Sequence, residues 1–282
     1  MKNVGIYTLK ISGMQGGHSG VDILDTRWNA LVELAKIMSE RSEIVGIAEI
    51  RWGDADNAIP RSAYAIIQIE WDISSLQTWL IERTTHLREA THTATISIIL
   101  ESTEYTWELY EKNILEKNAT LGSGVQIWSE DHRTPLSSWN LGKMKLLEGK
   151  LTWCYFLRTN IVGGIEPMKQ KILSTFNWSD WINWNNWINF TLSHEWPVWL
   201  ADAHSSFVQW ILASITSYNG KSIPAITMHA TMEAGTLAEK FPETQWASIG
   251  ASCHDMHTTR EHIYLSDLEE FCGRLERIIS KI

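Results

Sequence analysis

The chain has 282 residues, three cysteines and a formal net charge of −9 at pH 7. At roughly 150 residues per domain, this length predicts about two domains, each able to bury a core. The negative charge, with no run of Lys or Arg to offset it, argues against nucleic-acid binding. The sparse cysteines argue against a disulfide framework, and no apolar run approaches the roughly 18 residues of a membrane span. We therefore expect a cytoplasmic protein with neither a membrane nor a nucleic acid as partner.

The first hundred residues predict the order β-α-β-β-α-β, which is the ferredoxin-like pattern. Alternating apolar and polar residues indicate a half-buried strand over 5–11, and helical spacing indicates a helix over 25–40, capped by Asp25 or Thr26. The remaining elements of this unit are strands over 44–53 and 63–72, a helix over 74–89 and a strand over 93–102.

The pattern partly recurs over 104–195, so we predict a second ferredoxin-like unit. Its elements are a helix over 104–118, a hairpin over 142–159 that turns near Glu148 and Gly149, a helix over 167–181 and a strand over 186–196. Tryptophan is frequent, with 16 residues, and four of them recur every third residue: Trp178, Trp181, Trp184 and Trp187. We interpret this run as core or interface packing, with a carbohydrate or nucleobase platform as the alternative.

The last segment, 196–282, changes rhythm and predicts alternating helices and strands. Helices are expected over 205–219, ended by Gly220, from 233 and over 265–282; strands are expected over 223–230 and 246–252. The terminal helix is expected to turn Leu268, Phe271, Leu275 and either Ile278 or Ile279 inward. Because two strands are too few for a sheet of its own, this segment predicts an incomplete α/β domain.

Three short stretches contain residues that are able to carry chemistry. His18 lies in "GGHSG", where glycines allow unusual backbone angles and present an imidazole, although a polar turn residue is the simpler interpretation. In "TMHATMEAGT", His229 follows an apolar run and Glu233 and Gly235 open a helix whose N-terminus favours anions, although the histidine could simply bond a carbonyl.

The third stretch, "SCHDMHTTREHIYL", crowds nitrogen, sulfur and carboxylate groups that suit a metal. A solvated polar loop and a small structural zinc site at Cys253, His254, His257 and His262 are the alternatives. Motifs for dinucleotide binding, a P-loop, a nucleophile elbow and the HExxH zinc site are all absent.

Taken in order, five motifs resemble the cytosolic aminoacyl-histidine dipeptidases, also called peptidase D or Xaa-His dipeptidases, a family of dinuclear zinc hydrolases. The motifs are "SGMQGGHSG", "GDADNAIPRSAYAII", "SSWNLGKMKLL" before "CYFLR", "HATMEAG" and "SIGASCHDMHTTREHI". The resemblance implies an α/β fold with an α+β lid: a lid of two ferredoxin-like halves over 1–103 and 104–195, and the last part of a catalytic domain over 196–282.

The resemblance also implies a role for each matched residue. His257 would be a zinc ligand, His18 would stabilise the oxyanion from the lid, and Arg158 would meet the substrate carboxylate. Glu233 and Gly235 would line the substrate pocket, with Asn57 as a weaker lid contact. Asp255, Met256, Thr259 and Arg260 depart from the family pattern, and Arg260 would place a cation near the metal unless it points away.

The family's opening catalytic segment has no counterpart in this sequence. That segment carries a His-x-Asp ligand pair, further aspartates and a glutamate pair that includes the general base, whereas here the only Glu-Glu pair, Glu269 and Glu270, lies in the terminal helix. We therefore expect a partial zinc dipeptidase, with a dipeptide substrate, a complementary N-terminal segment and a second copy in a homodimer as partners. The alternative is an inactive remnant that serves as an interaction or dimerisation module.

Overall fold

The structure, a computed structural model, is a mixed α/β fold in which helices cover a largely antiparallel sheet, as the sequence predicts. It describes residues 4–24, 27–53, 55–70, 73–105, 108–176, 191–193, 195–199 and 202–282. The tryptophans at 178, 181, 184 and 187 lie outside these residues. Among the described residues, no helix is long and apolar enough to cross a membrane.

The first unit has the predicted ferredoxin-like topology. In the sheet, neighbouring strands run antiparallel in the order β6-β1-β5-β3, which is the strand order of a split β-α-β fold. Its elements are β1 (Val4–Ser12), β2 (Gly17–His18), α1 (Ala30–Glu40), β3 (Ile44–Trp52), β4 (Ala58–Ile59), β5 (Ala63–Glu70), α2 (Ile73–Thr91) and β6 (Ser97–Ser102). The short strands β2 and β4 pair with each other beside the main sheet.

Helix α1 begins later than predicted, because its cap is Asn29. The Asn29 side-chain oxygen accepts hydrogen bonds from the backbone N–H groups of Leu31 and Val32, at 2.9 and 3.1 Å. This satisfies two of the helix donors that otherwise lack a partner. Asp25 and Thr26, the predicted caps, lie outside the described residues.

The second unit joins the same sheet instead of forming a separate one. Its elements are α3 (Asn113–Leu121), β7 (Gly124–Trp128), β8 (Pro135–Leu147), β9 (Lys150–Thr159) and α4 (Ile165–Thr175). The hairpin turns as predicted, with Glu148 and Gly149 both in the left-handed region at φ of 50° and 73°. Strand β7 was not predicted, and the helix expected from 104 begins at Asn113 because Tyr110 forms an isolated bridge to Ile47.

Strand β8 connects the two units. Along one edge it pairs with β9 over most of its length, and it also pairs with β3 near its end and with β7 near its start. The resulting sheet has seven strands, and its main buried cluster includes residues from both units, such as Leu34 of α1, Leu115 of α3 and Leu141 of β8. A smaller cluster packs Met168, Ile172 and Phe176 of the α4 region on Trp139.

The C-terminal helices form where the sequence predicts them: α5 (Ser206–Asn219), α6 (Glu233–Lys240) and α7 (Leu265–Ile279). Gly220 ends α5 in the left-handed conformation, at φ 75°. In α7 the inward residue is Ile278, which is 7% exposed, and not Ile279. The prediction that Leu268 points inward was wrong, since it is 41% exposed. Among the described residues, the buried cluster under α7 contains Ile211, Ile215 and Ile278.

The strands predicted over 223–230 and 246–252 do not form. Neither segment contains a strand or ladder pairing, and apolar side chains in them, including Ile226, Met228 and Ile249, are exposed. A strand needs a neighbouring strand to satisfy its backbone groups, and the described residues offer none to these segments. Of the strand predicted over 186–196, residues 191–193 and 195–196 are described and form no strand.

Candidate functional site

The candidate site lies where the sheet meets the C-terminal segment. Its side chains come from five places in the chain: the end of β2 with the turn that follows it, strand β8, strand β9, the loop before α6 and the loop before α7. They are His18, Ser19, Ser138, Arg158, His229, Thr231 and His257. The structure therefore brings together His18, Arg158 and His257, three residues that the sequence predicted from separate motifs.

The glycine-rich turn holds His18 in a buried position. The backbone N–H groups of Gly20 and Val21 donate to the His18 Nδ1, at 3.1 and 2.9 Å, and the His18 N–H donates to Asp22 at 2.7 Å. Burial, followed by the nearby charges of Arg158, His257 and His229, lowers the pKa of His18 to about 3. His18 is therefore a neutral imidazole at physiological pH.

Close packing around position 20 explains why this turn has a glycine there. A Cβ atom at this position would lie 2.0 Å from the carbonyl oxygen of His229 and 2.8 Å from the Arg158 Nε. Any side chain at Gly20 would therefore push the three site segments apart.

Arg158, near the end of β9, is a buried guanidinium with no carboxylate partner among the described residues. Its Nη1 donates to Thr231 at 2.9 Å, its Nη2 contacts Ser19 at 3.3 Å, and its Nε has no hydrogen-bond partner. The guanidinium also lies over the Phe156 ring, 4.5 Å from its centroid. Burial lowers the pKa of Arg158 to about 10, so it stays charged, and a buried unpaired cation favours an anionic ligand.

His229 belongs to the same cluster, although the sequence analysis assigned it no role there. Its Nε2 lies 2.8 Å from the buried Ser138 Oγ, and its Nδ1 is buried without a partner. Burial, followed by the charge of Arg158, lowers the pKa of His229 to about 4. Both residues stand in motifs quoted above, "SSWNLGK" and "HATMEAG", but spacing alone does not show that the two motifs meet.

His257 is presented by a loop that an isolated β-bridge between His254 and His262 closes. Its ring lies edge-on to His18, with 4.6 Å between centroids. The His257 N–H donates to Glu261 at 2.8 Å. Both His257 and Asp255 have positive φ, at 60° and 51°, in the left-handed region that is uncommon for residues other than glycine but that Asp and His adopt more readily than most.

The other predicted site residues, Asn57, Glu233 and Gly235, lie around the cluster and have structural roles or exposed side chains. Asn57 supports the turn through its backbone, because its carbonyl accepts the Ser19 N–H at 2.9 Å. Glu233 begins α6 with an exposed side chain, two residues after Thr231. Gly235 is buried, and a Cβ there would lie 2.8 Å from the Pro197 carbonyl oxygen, so close packing of α6 accounts for this glycine.

The residues present do not complete a metal site. Among the described residues, no group of three or more His, Cys, Asp or Glu side chains is arranged to hold a metal ion. Zinc takes four protein ligands in structural sites and three in catalytic sites. His257 alone supplies one donor, which is too few for either kind of site. The alternative of a structural zinc site at Cys253, His254, His257 and His262 is not supported either, because these four described side chains do not form such a group; the rings of His254 and His262 stack, with 5.3 Å between centroids.

Arg260 forms an ion pair with Asp255 in the same loop. Its Nε lies 3.5 Å from an Asp255 carboxylate oxygen, and its side chain is mostly exposed. The carboxylates that contact the two loop histidines of the cluster, Asp22 and Glu261, accept backbone N–H groups of His18 and His257. Neither carboxylate is therefore free to act as a base, and the cluster's buried Arg158 cation favours an anionic ligand.

The fold is shared with a dipeptidase. A crystal structure of aminoacylhistidine dipeptidase from Vibrio alginolyticus matches with a TM-score of 0.74, covering 99% of this chain and 58% of that chain, at 21% identity. The chain is homologous to the cytosol non-specific dipeptidase of Escherichia coli (strain K12), with 21% identity over 286 residues, 98% of this chain and 58% of that protein. The chain thus spans less than two thirds of the length of either relative.

Other comparisons add little. No protein-family model matches the chain. A putative amidohydrolase/peptidase from Burkholderia cenocepacia matches with a TM-score of only 0.29, covering 43% of this chain and 33% of that chain at 14% identity, which supports no argument.

Proposed function

We propose that this chain forms the larger part of a cytoplasmic zinc dipeptidase that cleaves Xaa-His dipeptides when a complementary segment completes it. Homology to a dipeptidase along 98% of the chain supports the reaction class. The observation that carries the proposal is the buried Arg158 guanidinium, which has no carboxylate partner among the described residues and lies beside His18 and His257.

In this function Arg158 binds the carboxylate of the dipeptide. A guanidinium presents a fork of donors that matches a carboxylate, and burial strengthens the charge-assisted hydrogen bonds. His18 donates a hydrogen bond to the oxygen that becomes negative when the peptide carbonyl is attacked. Glu233 and Gly235 at the start of α6, and Asn57 behind the His18 turn, border the same substrate pocket.

Among the described residues, His257 is the one that serves as a metal ligand in this proposal. The two zinc ions of the complete site would supply a water molecule of lowered pKa that attacks the peptide bond. The remaining ligands and the general base come from the complementary segment, since the described residues provide neither. The domain boundary near residue 195 separates the lid, 1–195, from residues 196–282. In this proposal the complementary segment joins residues 196–282 to complete the catalytic domain.

The test compares the chain expressed alone with the chain co-expressed with the coding sequence adjacent to it. Alone, we expect no tight zinc binding and no release of histidine from Ala-His; the completed complex should bind two zinc ions and release histidine. Zinc content and free histidine are the readouts. Substituting His257→Gln in the complex should lower its zinc content, whereas Cys272→Ser, an exposed residue of α7, should leave it unchanged.

Two results would contradict the proposal. If the chain alone bound two zinc ions tightly and hydrolysed Ala-His, it would need no complementary segment. If the completed, zinc-loaded complex released no histidine from any Xaa-His dipeptide, the dipeptidase assignment would be wrong.

A further inference from the structure

A cavity of about 900 Å³ lies outside the candidate site. Three parts of the chain border it: the loop between β9 and α4, the residues from 195 to the start of α5, and the end of α6 with the loop that follows. None of the clustered side chains of the candidate site lines it. Its volume falls within the range of about 300–1,000 Å³ that is typical of ligand pockets.

Strand β9 and helix α6 separate this cavity from the candidate site. Arg158 belongs to the candidate site, whereas its neighbour Thr159 lines the cavity, because successive side chains of a strand point to opposite faces of a sheet. In α6, Glu233 begins the helix next to the site, and Glu239, which lines the cavity, lies about 9 Å further along the axis. The cavity is therefore a separate place on the molecule.

Three tryptophans line the cavity: Trp196, Trp199 and Trp246. The segment that carries the first two is fixed on α6, since a Cβ atom at Gly235 would lie 2.8 Å from the Pro197 carbonyl oxygen and 3.4 Å from the Trp199 Cβ. Trp196 nevertheless stays 48% exposed. The face of an indole ring carries negative charge density and attracts cations, more strongly than the rings of Tyr or Phe do.

The lining also carries four carboxylates, and no Lys, Arg or His is among the described residues that form it. The carboxylates belong to Glu166, Glu195, Asp202 and Glu239. Two of them already have partners within the fold. Glu166 accepts hydrogen bonds from Lys169 at 3.1 Å and from Gln170 at 2.6 Å, and Asp202 accepts the His204 N–H at 2.8 Å.

The other two carboxylates, Glu195 and Glu239, form no hydrogen bond or ion pair with the described residues. Glu239 stands in the last turn of α6, where the helix dipole adds negative potential. Lys240 follows it but does not line the cavity, and its Nζ lies over the Phe241 ring, 5.9 Å from the centroid. Unpaired carboxylates beside indole rings favour a positively charged ligand.

We propose that this cavity binds an organic cation, an alkylammonium group with an apolar body, through the rings of Trp196, Trp199 and Trp246 and the carboxylates of Glu195 and Glu239. A bare metal ion fits the lining less well, because hard cations need several oxygen ligands and indole rings provide none. The proposal does not depend on dipeptidase activity, since the cavity shares no side chain with the candidate site.

The charge of the ligand is tested on the unsubstituted full chain. Choline is the probe, and its uncharged isostere dimethylbutanol, in which a carbon atom replaces the nitrogen, is the control. NMR titration at low ionic strength measures both affinities. We expect choline to bind and the alcohol to bind at least about tenfold more weakly, because the two differ only in charge. No binding of choline, or equal binding of the alcohol, would overturn the proposal.

Variants test which side chains hold the cation. The double variant Glu195→Gln/Glu239→Gln keeps the shape of the lining and should weaken choline binding at least about tenfold, as should Trp246→Leu. The matched control is Glu166→Gln, which removes a carboxylate of the same cavity that is already paired, and it should cost less than about threefold. Losses in Glu166→Gln as large as in the double variant would contradict the assignment to Glu195 and Glu239.

The completed complex of the proposed function distinguishes a ligand site from an interface. We expect choline to bind the complex as tightly as it binds the chain alone. Binding that disappears in the complex would assign the cavity to the contact with the complementary segment and would overturn the proposal. A complex that binds choline but releases no histidine would count against the proposed function only.

Discussion

Two arginines in this protein, the half-buried Arg83 and the buried Arg158, differ in whether a carboxylate pairs with them. Arg83 of α2 reaches Glu33 of α1, which is 1% exposed on its side chain, with Nη2 donating to Oε2 at 3.0 Å. The hydrogen bond to Glu33 is the main cause that raises the pKa of Arg83. Arg158 has no such carboxylate among the described residues. The fold thus pairs the Arg83 guanidinium with the Glu33 carboxylate, whereas the described residues provide no carboxylate for the Arg158 guanidinium.

Replacing these arginines should have opposite effects on stability. Arg158→Met removes a buried cation without a counter-charge, so we expect the free energy of unfolding to rise by about 1 kcal/mol. Arg83→Met, the matched control, leaves Glu33 buried and unpaired and should lower it by about 3 kcal/mol. Urea unfolding of both variants measures the difference. A loss of stability in Arg158→Met as large as in Arg83→Met would refute the view that Arg158 is uncompensated.

Sequence reasoning identified the site residues that carry obvious chemistry and missed those that support them. His18, Arg158 and His257 were named because each stands in a recognisable motif, and they do lie together. Their proposed roles remain predictions. The contact of Ser138 with His229 was missed, because a serine in a strand is common and only the packing of two distant segments joins it to a histidine.

At the level of elements, the helices were predicted better than the strands. A helix satisfies its backbone hydrogen bonds within itself, so apolar spacing and caps located α1, α2, α4, α5, α6 and α7. A strand depends on its neighbours. The segments 223–230 and 246–252 have suitable residues, yet they form no strands because the described residues supply no pairing partner.

Asn29 shows how one residue can define an element and join it to the sheet. Beyond capping α1, its amide nitrogen donates to the Leu141 carbonyl at 2.9 Å and to the Asn140 side chain at 3.0 Å. We expect Asn29→Ala to lower the free energy of unfolding by about 2 kcal/mol, since both the cap and buried hydrogen bonds are lost.

The Asn29→Ser variant is the control for this prediction. Serine keeps a capping oxygen but cannot reach β8 with an amide, so about half of the loss should remain. Thermal or urea unfolding distinguishes the two variants. Equal losses in both would mean that capping contributes nothing measurable at this helix.

At the level of the whole molecule, the seven-stranded sheet with its helices buries its apolar residues better than the C-terminal segment, 196–282, does. The sheet and its helices share one large cluster, whereas the buried cluster of the C-terminal segment has three residues. Large apolar side chains remain exposed there, among them Ile226, Met228, Ile249, Ile263 and Leu265. An exposed surface of this kind is typical of an interface, which agrees with the proposed complementary segment.

Hydrogen exchange should show this asymmetry directly. In the chain alone, we expect amides of 223–230 and 246–252 to exchange much faster than those of β1 and β5, because ladder hydrogen bonds protect only the latter. In the completed complex, the two segments should become protected as strands. Mass spectrometry of peptides from both states measures this, and strong protection in the chain alone would contradict the exposed arrangement.

The sequence by itself determined the order of the helices, the ferredoxin-like strand order of the first unit and the hairpin at Glu148 and Gly149, and its motifs pointed to three residues that lie together, His18, Arg158 and His257. These properties depend on local spacing, turn chemistry and motifs, which a linear chain records. Only the tertiary structure decided that β8 merges both units into one sheet, that Arg158 is buried without a carboxylate partner among the described residues, and that the His18 ring lies beside the Arg158 guanidinium. Those properties arise from contacts between residues distant in the chain, whose geometry and desolvation no local pattern specifies.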